Sequence, residues 1–433
     1  MTSHPLQELV ELGRQPSYPA EAIEAVKVIL VHDLSVALSA RPLVAHLLEE
    51  AYSDGGATDL MSGKRVDLPS AVSRNGQLVH ALTQDDTHLP AMTHVGATSI
   101  PLLLALGEAG DRRLSDLLSG FAAAYAIAEF LGLPVAAQLA GKGVRPTPMI
   151  GPIAAVVAAG RMEGWGEERL QRAIGRVAAV AMGTTQAWID GSHEWLFEIS
   201  AAGQLALSAA RSSAKEWRAA RDPLWGPAGL FRCFGLTPPA RGRNADVATA
   251  ALRANVKRFP ACAINQVPMV LLQEAMKTEP LSDRTEINLR LSPPEANYPG
   301  IGRYAGLDTW SARLMSLPYC MTVMAQNSDF KVGDLEATPR GLSEEQFRRV
   351  RVQADSKLAA GQYVVEIAEG SRRRVLEGSL DGVGRPARKE LEFAARKVIG
   401  DEGLASLLAL TDKEDTSVRD FASAVVRAGA TSH

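Results

Sequence analysis

The first half of the chain carries apolar helical segments that are rich in alanine and glycine, such as FAAAYAIAEFLG at 121–132 and GPIAAVVAAG at 151–160. Small side chains let helix axes approach closely, which favours a tightly packed helical bundle over a sheet covered by helices. Apolar residues recur at helical spacing over 18–40, 98–109, 114–132, 150–162, 167–182 and 201–220. We therefore expect a large all-helical domain over residues 1–248.

The pattern of apolar and polar residues changes after this domain. RTEINLRLSP (284–293) alternates apolar and polar residues, and RRVRVQADS and YVVEIAEGSRRRVLEGSLDG add further strand signals with glycine turns. Helical patterns lie between them at about 265–278 and 307–327. The pattern predicts a smaller α+β lid domain over 249–388 with an antiparallel sheet, followed by helices over 389–433 that pack back on the first domain. The predicted fold class is mainly α.

Composition limits the partners and the compartment. Lys plus Arg number 46 against 49 Asp plus Glu, so a basic excess for nucleic acid is absent and small molecules or other copies of the chain are the expected partners. Three widely spaced cysteines without a C-x-x-C pair indicate reduced thiols. The N-terminus does not resemble a secretory signal, and we find no uninterrupted apolar run of about 18–20 residues. We expect a cytoplasmic protein that does not associate with membranes.

The stretch HALTQDDTHLPAMTHVG (80–96) concentrates chemically active side chains. It contains Asp85, Asp86, Thr87, His88 and His94. An imidazole that titrates near neutral pH, a carboxylate that orients it and a nearby donor are sufficient for a metal-free acid/base centre. The stretch therefore predicts such a centre, and the plainer interpretation is a loop in which Asp85 or Asp86 caps a helix.

Two metal-dependent interpretations of this stretch are weaker. The two histidines are six residues apart with Pro90 between them, so they cannot share a helix face, and a further His or Cys cluster is not evident in the sequence. An isoprenoid-diphosphate site would require another acid at helical spacing and an aromatic pocket, but only 5% of the residues are aromatic. We therefore expect this stretch to act without a metal ion.

Several motifs together carry a family resemblance. The segment NGQLVHALTQDDTHLPAMTHVGATSIPLLLALGEA (75–109) resembles the signature of the MmgE/PrpD family. Further similar segments follow in order: AVKVILVHDLSVALSA (25–40), RPTPMIGPIAAVVAAGRMEGW (145–165), VKRFPACAINQ (256–266) and ARLMSLPYCMTVMA (312–325). The chain is identified as a divergent member of this family.

The resemblance implies a helical domain, a smaller lid, an active site in the cleft between them and a homodimer. It also implies an enzyme without metal or organic cofactor, since family members include 2-methylcitrate dehydratase, cis-aconitate decarboxylase and iminodisuccinate epimerase. The expected substrate is a small-molecule carboxylate. The motif matches imply catalytic roles for His94, Lys257, Tyr319 and Asp85, with Thr87, His88 and Asp86 beside the substrate.

The chain departs from the family pattern at three places. GVRPT places Arg145 where the family commonly has a histidine, EWLFEISAAG (194–203) lacks a family lysine, and Gln266 stands where some members have histidine. Arginine stays protonated and binds carboxylates through its planar fork, so Arg145 is expected to bind substrate rather than to act as a base. Gln266 is also assigned to substrate binding, and His193, near the altered lysine segment, could replace a lost acid/base group.

The predicted function is that of a cofactor-independent lyase that acts by proton abstraction next to a carboxylate or carbonyl, in a dehydration or a decarboxylation. His94 is the expected base, with Lys257 and Tyr319 as acid or enolate stabiliser. Since two titratable groups are lost, an epimerase or double-bond isomerase in a specialised biosynthetic pathway is an open alternative. A catalytically dead homologue that binds carboxylates or serves as a scaffold is another.

Overall fold

The structure, a computed structural model, describes residues 5–48, 50, 53–236, 246–279, 281–282 and 285–430 of the 433-residue chain. Most of the regular secondary structure in these ranges is helical, which confirms the predicted mainly α class. Up to residue 236 the described α-helices are α1 (Pro5–Arg14), α2 (Ala20–Val44), α3 (Leu68–His80), α4 (Val95–Ala109), α5 (Leu114–Ala140), α6 (Pro146–Glu163), α7 (Glu167–Ala178), α8 (Gln186–Asp190), α9 (Glu194–Ser212) and α10 (Leu230–Cys233).

Each of the six helical segments predicted in the first half overlaps one of these helices. Helices α1, α3, α8 and α10 are not among the predictions. In α3 the apolar residues are separated by serine, arginine, asparagine and glycine, which weakens the helical periodicity. Asp67 caps the start of this helix: its carboxylate accepts the N–H of Ser70 at 2.9 Å. The helix ends at His80.

The core of the helical part is formed by α4, α5 and α6, which lie against one another. Glycine permits the closest of these approaches: a Cβ atom at Gly120 in α5 would lie 2.6 Å from the carbonyl oxygen of Ala158 in α6. Any larger side chain at this position would separate the two helices. The small residues therefore allow close packing, as the sequence indicates.

The expectation that the first part is all-helical is wrong in detail. Strands β1 (Asp54–Thr58) and β2 (Arg65–Val66) form an antiparallel pair, and β3 (Thr87–His88) pairs antiparallel with β4 (Ala254–Asn255). The chain between β1 and β2 is short enough for a hairpin, which a helical pattern does not reveal. Because β4 precedes Lys257 by two residues, its pairing with β3 brings that lysine to the QDDTH segment.

The strands after residue 285 form a sheet with the order β6–β5–β7–β8. They are β5 (Glu286–Leu291), β6 (Val350–Ala354), β7 (Gln362–Glu369) and β8 (Arg372–Ser379). The prediction of an antiparallel sheet is wrong for one pair: β5 and β6 are parallel, whereas β7 is antiparallel to both β5 and β8. The long helical connection between β5 and β6 returns the chain to the same end of the sheet, as a parallel pair requires.

The later α-helices in the described part of the chain are α11 (Ala263–Thr278), α12 (Pro293–Ala296), α13 (Trp310–Met315), α14 (Leu317–Asn327), α15 (Gly333–Glu336), α16 (Glu344–Phe347), α17 (Ala395–Asp412) and α18 (Val418–Ala430). The predicted helix over 307–327 is divided into α13 and α14. Ser316 separates them because its hydroxyl accepts the N–H of Tyr319 at 3.1 Å and so begins a new helix.

The C-terminal helices contact the first part of the chain. Helix α17 packs on α2, and α18 packs on α4 and α2. Asp412 at the end of α17 accepts a hydrogen bond from Lys27 of α2 at 2.7 Å. The division into a helical domain over 1–248 and a lid over 249–388 stays a prediction.

One helix among the described residues, α5, is long and apolar enough to cross a membrane by length and composition alone. In its most apolar window, 78% of the residues are buried inside the protein. Burial of that degree is typical of the central helix of a packed core.

Candidate active site

Asp85 lies at the centre of a buried cluster of ionisable side chains. Its Oδ2 atom is 2.9 Å from Nδ1 of His80 and 3.2 Å from Nδ1 of His94, and its Oδ1 atom is 3.8 Å from Nζ of Lys257. Burial alone would raise the pKa of Asp85, but the adjacent His80 and His94 rings and the ammonium group of Lys257 outweigh burial and lower that pKa well below its ordinary value. Asp85 is therefore a carboxylate anion at neutral pH.

The side chains of this cluster come from three separate parts of the fold. His80 is the last residue of α3, and Asp85 follows it in the loop that leads to β3. His94 occupies the position before the first residue of α4. Lys257 reaches the cluster from the other half of the chain through the β3–β4 pairing.

His94 is the member of the cluster that solvent reaches. Its side chain is 19% exposed, whereas those of His80 and Asp85 are fully buried. Its Nδ1 atom also lies 3.4 Å from the hydroxyl of Thr87, and its backbone N–H donates to the Thr147 hydroxyl at 3.1 Å. With Nδ1–H donated to Asp85, the lone pair of His94 is on Nε2, which has no hydrogen-bond partner among the described residues.

Burial lowers the pKa of His94 to about 4, because the partly compensating charge of Asp85 is opposed by Lys257 and His80. The ring is therefore neutral at neutral pH. A neutral imidazole with a free Nε2 atom and a carboxylate behind Nδ1 has the arrangement of a general base.

Lys257 is a buried cation with an exposed fraction of 1%. Burial lowers the pKa of its amino group, and the negative charge of Asp85 opposes that shift. The ammonium group also donates a hydrogen bond to the backbone carbonyl of Thr83. Lys257 thus supplies positive charge near Oδ1 of Asp85, whereas the two histidine rings face Oδ2.

Gln266 fixes the loop that carries Lys257. Its side-chain oxygen accepts the backbone N–H groups of Arg258 and Phe259 at 3.0 and 3.1 Å, and its amide group donates to backbone carbonyls of the same loop. The polar atoms of Gln266 are thus engaged with the protein backbone, in contrast to the substrate contact expected from the sequence. Its predicted role in substrate binding stays a prediction.

Asp86 has a different environment from Asp85 although the two are adjacent. Its carboxylate accepts the backbone N–H groups of Val95 and Gly96 at 3.2 and 2.7 Å, at the start of α4, and the hydroxyl of Tyr125 donates to it at 2.6 Å. The capping interpretation therefore describes Asp86, whereas Asp85 belongs to the ionisable cluster.

Asp33 of α2 lies against Asp86. Its Oδ1 atom accepts the backbone N–H of Asp86 at 2.9 Å, and its buried Oδ2 atom has no hydrogen-bond partner among the described residues. Burial raises the pKa of Asp33 well above its ordinary value, and the charges of Asp86 and Asp85 raise it further. Burial and Asp85 also raise the pKa of Asp86, so both carboxyl groups keep a proton to a higher pH than they would in water.

His88 is buried away from the cluster. Its Nε2 atom lies 2.9 Å from the carboxylate of Glu129, which also accepts a hydrogen bond from Arg253 at 2.7 Å. Its Nδ1 atom accepts the backbone N–H of Ala91 at 3.3 Å. Both ring nitrogens are thus engaged with the protein, and the predicted contact of His88 with substrate stays a prediction.

Two other predicted residues are placed outside the Asp85 cluster. The hydroxyl of Tyr319 donates to the backbone carbonyl of Asp334, and burial raises the pKa of that hydroxyl. The ring of His193 stacks on Trp310 with 3.8 Å between the ring centroids. The structure does not bring either side chain into hydrogen-bond contact with Asp85, within the residues it describes.

Sequence reasoning missed His80 and Glu198. His80 begins the HALTQDDTH stretch and lies five residues before Asp85, but without a prediction for α3 its orientation could not be foreseen. Glu198 lies in the EWLFEISAAG segment, which lacks the lysine that the family commonly has there. In the structure it forms an ion pair with Arg145 at 2.6 Å.

The donor atoms of His80, Asp85 and His94 lie within 4.8 Å of one another, a spacing that a metal ion could bridge. Both Nδ1 atoms face the same carboxylate oxygen, and Lys257 and Arg145 bring two positive charges to the group. A divalent cation would have to displace these N–H donors and would be repelled by these charges. The residues are better suited to proton transfer than to metal binding.

Residues 8–241 match the MmgE/PrpD N-terminal domain, which is more than half of the 433-residue chain. The chain belongs to the MmgE/PrpD family. Members of this family are generally enzymes, mostly dehydratases and lyases, and membership indicates an enzymatic role of that type. No curated protein matches the chain. The matched domain contains His80, Asp85, His94 and Arg145, whereas Lys257 lies outside it.

Proposed function

We propose that the protein is a cofactor-independent lyase that abstracts a proton next to a carboxylate or carbonyl group of a small-molecule carboxylate, in a dehydration or a decarboxylation. The observation that carries the proposal is the free Nε2 atom of His94, whose Nδ1 atom lies 3.2 Å from the ionised Asp85. Family membership supports the lyase class.

His94 is the base in this proposal. Its Nε2 atom takes the proton from the substrate carbon, and the imidazolium that forms is stabilised by the negative charge of Asp85. A positioned base of this kind contributes about 10²–10⁴-fold to a rate. Because its pKa is about 4, His94 is in the basic form over the whole physiological range.

Lys257 stabilises the negative charge that develops on the substrate oxygen during proton removal. A buried ammonium group acts strongly on such a charge because little water screens it. In a dehydration the same group would protonate the leaving hydroxyl, which its lowered pKa favours. In this proposal Lys257, and not Tyr319, is the acid.

An epimerase or double-bond isomerase is the second candidate, and one observation favours it. Nδ1 of His80 and Nδ1 of His94 both face Asp85, and Nε2 of His80 faces Arg145. In the described part of the cluster, Nε2 of His94 is therefore the ring nitrogen left free. A single base can return the proton to another carbon of the same substrate, as a double-bond isomerisation requires, or to the other face of the same carbon after the intermediate turns, as an epimerisation requires, without the second acid that an elimination needs.

The test follows proton exchange in heavy water. Wild-type protein and the His94→Asn variant are incubated with malate, citrate, cis-aconitate and aspartate, and the substrate C–H signals are followed by NMR with mass spectrometry of the products. We expect wild-type turnover or exchange on at least one probe and a loss of about 10²-fold or more in the variant. The exposed His46→Asn variant is the matched control and should keep full activity.

The outcomes separate the candidates. Loss of water or carbon dioxide supports the lyase, and deuterium incorporation without loss of mass supports the epimerase or isomerase. Thermal stabilisation by a probe without any exchange would identify a carboxylate-binding homologue that lacks activity. Undiminished activity of a folded His94→Asn variant would contradict the assignment of His94.

We further propose that the protein acts in the cytoplasm as a homodimer. Four large apolar side chains within 180–197 support a protein contact because each is more than half exposed: Val180, Met182, Ile189 and Phe197. The Phe197→Glu variant should lower the molar mass measured by light scattering if this surface is the dimer interface. An unchanged mass would place the interface elsewhere or show a monomer.

A further inference from the structure

We propose that Arg145 is a positioning residue that acts through His80: it holds His80 in one neutral tautomer, and His80 in turn orients the Asp85 carboxylate for His94. The inference rests on the proposed role of His94 as the base. It concerns the residues behind His94, and it assigns Arg145 a role other than direct binding of the substrate.

The contact between Arg145 and His80 determines the tautomer. Nη2 of Arg145 lies 2.9 Å from Nε2 of His80. A guanidinium group is always protonated and can only donate, so Nε2 of His80 must accept and carries no proton. The ring proton is then on Nδ1, 2.9 Å from Oδ2 of Asp85, to which it donates.

The position of Arg145 is itself fixed by the protein. Its Nη1 atom donates to the carboxylate of Glu198 at 2.6 Å and to the backbone carbonyl of Trp195 at 3.1 Å. Glu198 also accepts the backbone N–H of Thr184 at 2.8 Å. Three of the five N–H donors of Arg145 are thus engaged with Glu198, Trp195 and His80, which limits its capacity to bind a substrate carboxylate.

The tautomer of His80 matters for His94 because both rings share one carboxylate oxygen. If the proton moved to Nε2, the lone pair of Nδ1 would face Asp85 and repel it. If His80 were doubly protonated, its charge would neutralise the anion that supports His94. The charged and titratable groups that face His80 are Arg145, Asp85, His94 and Lys257.

The spectroscopic test uses the full chain labelled with ¹⁵N-histidine, because the nitrogen resonances of each ring report its tautomer and charge. In the wild type we expect His80 to be in the neutral Nδ1–H form at neutral pH and to stay neutral below about pH 6.5, where a model-peptide histidine titrates, because burial lowers its pKa. In the Arg145→Met/Glu198→Gln double variant, which removes both charges of the ion pair, the midpoint of His80 should rise by about 1–3 pH units. The resonances of His94 should follow that transition.

Two further variants separate positioning from a general structural effect. Arg74→Met/Asp59→Asn removes another buried ion pair, between the helix that carries His80 and the connection from β1 to β2, and should leave both rings unchanged. His80→Asn supplies an amide N–H in place of Nδ1–H. With Asn at position 80, adding the Arg145→Met/Glu198→Gln changes should no longer alter the titration of His94.

An Nε2–H tautomer of His80 in the wild type, or a doubly protonated His80 at neutral pH, would overturn the proposal. An Arg145→Met/Glu198→Gln variant with unchanged His80 resonances would also overturn it. None of these measurements requires a substrate. A failure of this inference is therefore distinguishable from a failure of the proposed function, which the exchange experiment with His94→Asn tests on its own.

Discussion

Nε2 of His80 lies 2.9 Å from Nη2 of Arg145, so a side chain that is always charged holds a titratable side chain in its neutral form. The sequence alone suggests that Arg145 faces the substrate, because a free guanidinium group is a good carboxylate ligand. In the structure Arg145 forms an ion pair with Glu198 instead. The proposed base His94 and its supporting groups can therefore be tested by variants that do not depend on knowledge of the substrate.

Replacing Asp85 with asparagine should destabilise the fold as well as the site. Lys257 would lose its nearby carboxylate and become an uncompensated buried cation, so the free energy of unfolding should fall by about 3–5 kcal/mol. The double variant Asp85→Asn/Lys257→Met removes both charges and should regain part of that loss. Urea unfolding at neutral pH measures both, and equal losses in the single and double variants would contradict the coupling.

Asp33→Asn should make the protein more resistant to alkaline conditions. Because the pKa of Asp33 is raised in the folded state, its contribution to stability is complete below its unfolded pKa of about 3.9 and is lost as the pH rises toward its folded pKa. Asparagine carries no such cost and can still donate toward Asp86. The stability of the variant relative to the wild type should therefore increase between about pH 5 and pH 8, as followed by urea unfolding. A constant difference over that range would show that Asp33 keeps its ordinary pKa.

Gly96→Ala should disrupt the carboxylate pair beside the site. A Cβ atom at this position would lie 2.0 Å from Oδ2 of Asp33 and 2.6 Å from Oδ1 of Asp86. We expect a loss of about 1–3 kcal/mol in thermal or urea unfolding. Gly175→Ala, at an interior helical position where the nearest atom would be 3.7 Å away, is the control and should stabilise by about 0.5–1 kcal/mol. Equal effects of the two substitutions would argue against the close approach at Gly96.

Chemical modification should report the neutral form of His94. Diethyl pyrocarbonate reacts with unprotonated imidazole, and the pKa of His94 is about 4. Its modification rate, followed by peptide mass spectrometry, should be nearly constant between about pH 5 and pH 8, whereas an imidazole in a model peptide with a pKa of about 6.5 slows at the acidic end. The Asp85→Asn variant is the comparison, because loss of the carboxylate should lower the pKa of His94 further and keep the rate flat. A rate that falls in step with the model peptide would contradict the assigned protonation state.

The helical segments and the later strands could be predicted because they depend on local pattern. Alanine, glycine and apolar residues at helical spacing indicate the helices of the first half, and alternation indicates β5 to β8. The pairing of β5 with β6 could not be predicted as parallel, because strand direction is determined by the path of the connection and not by the residues of the strands.

The sequence by itself determined the family to which the chain belongs, and its motifs suggested Asp85, His94 and Lys257 as candidate site residues. Only the tertiary structure separated Asp85 from Asp86, one in the ionisable cluster and the other at the start of α4. Only the tertiary structure added His80 and joined Arg145 to Glu198. The reason is physical: the pKa and hydrogen-bond role of a buried group depend on the charges within a few ångströms, and those charges come from segments far apart in the chain.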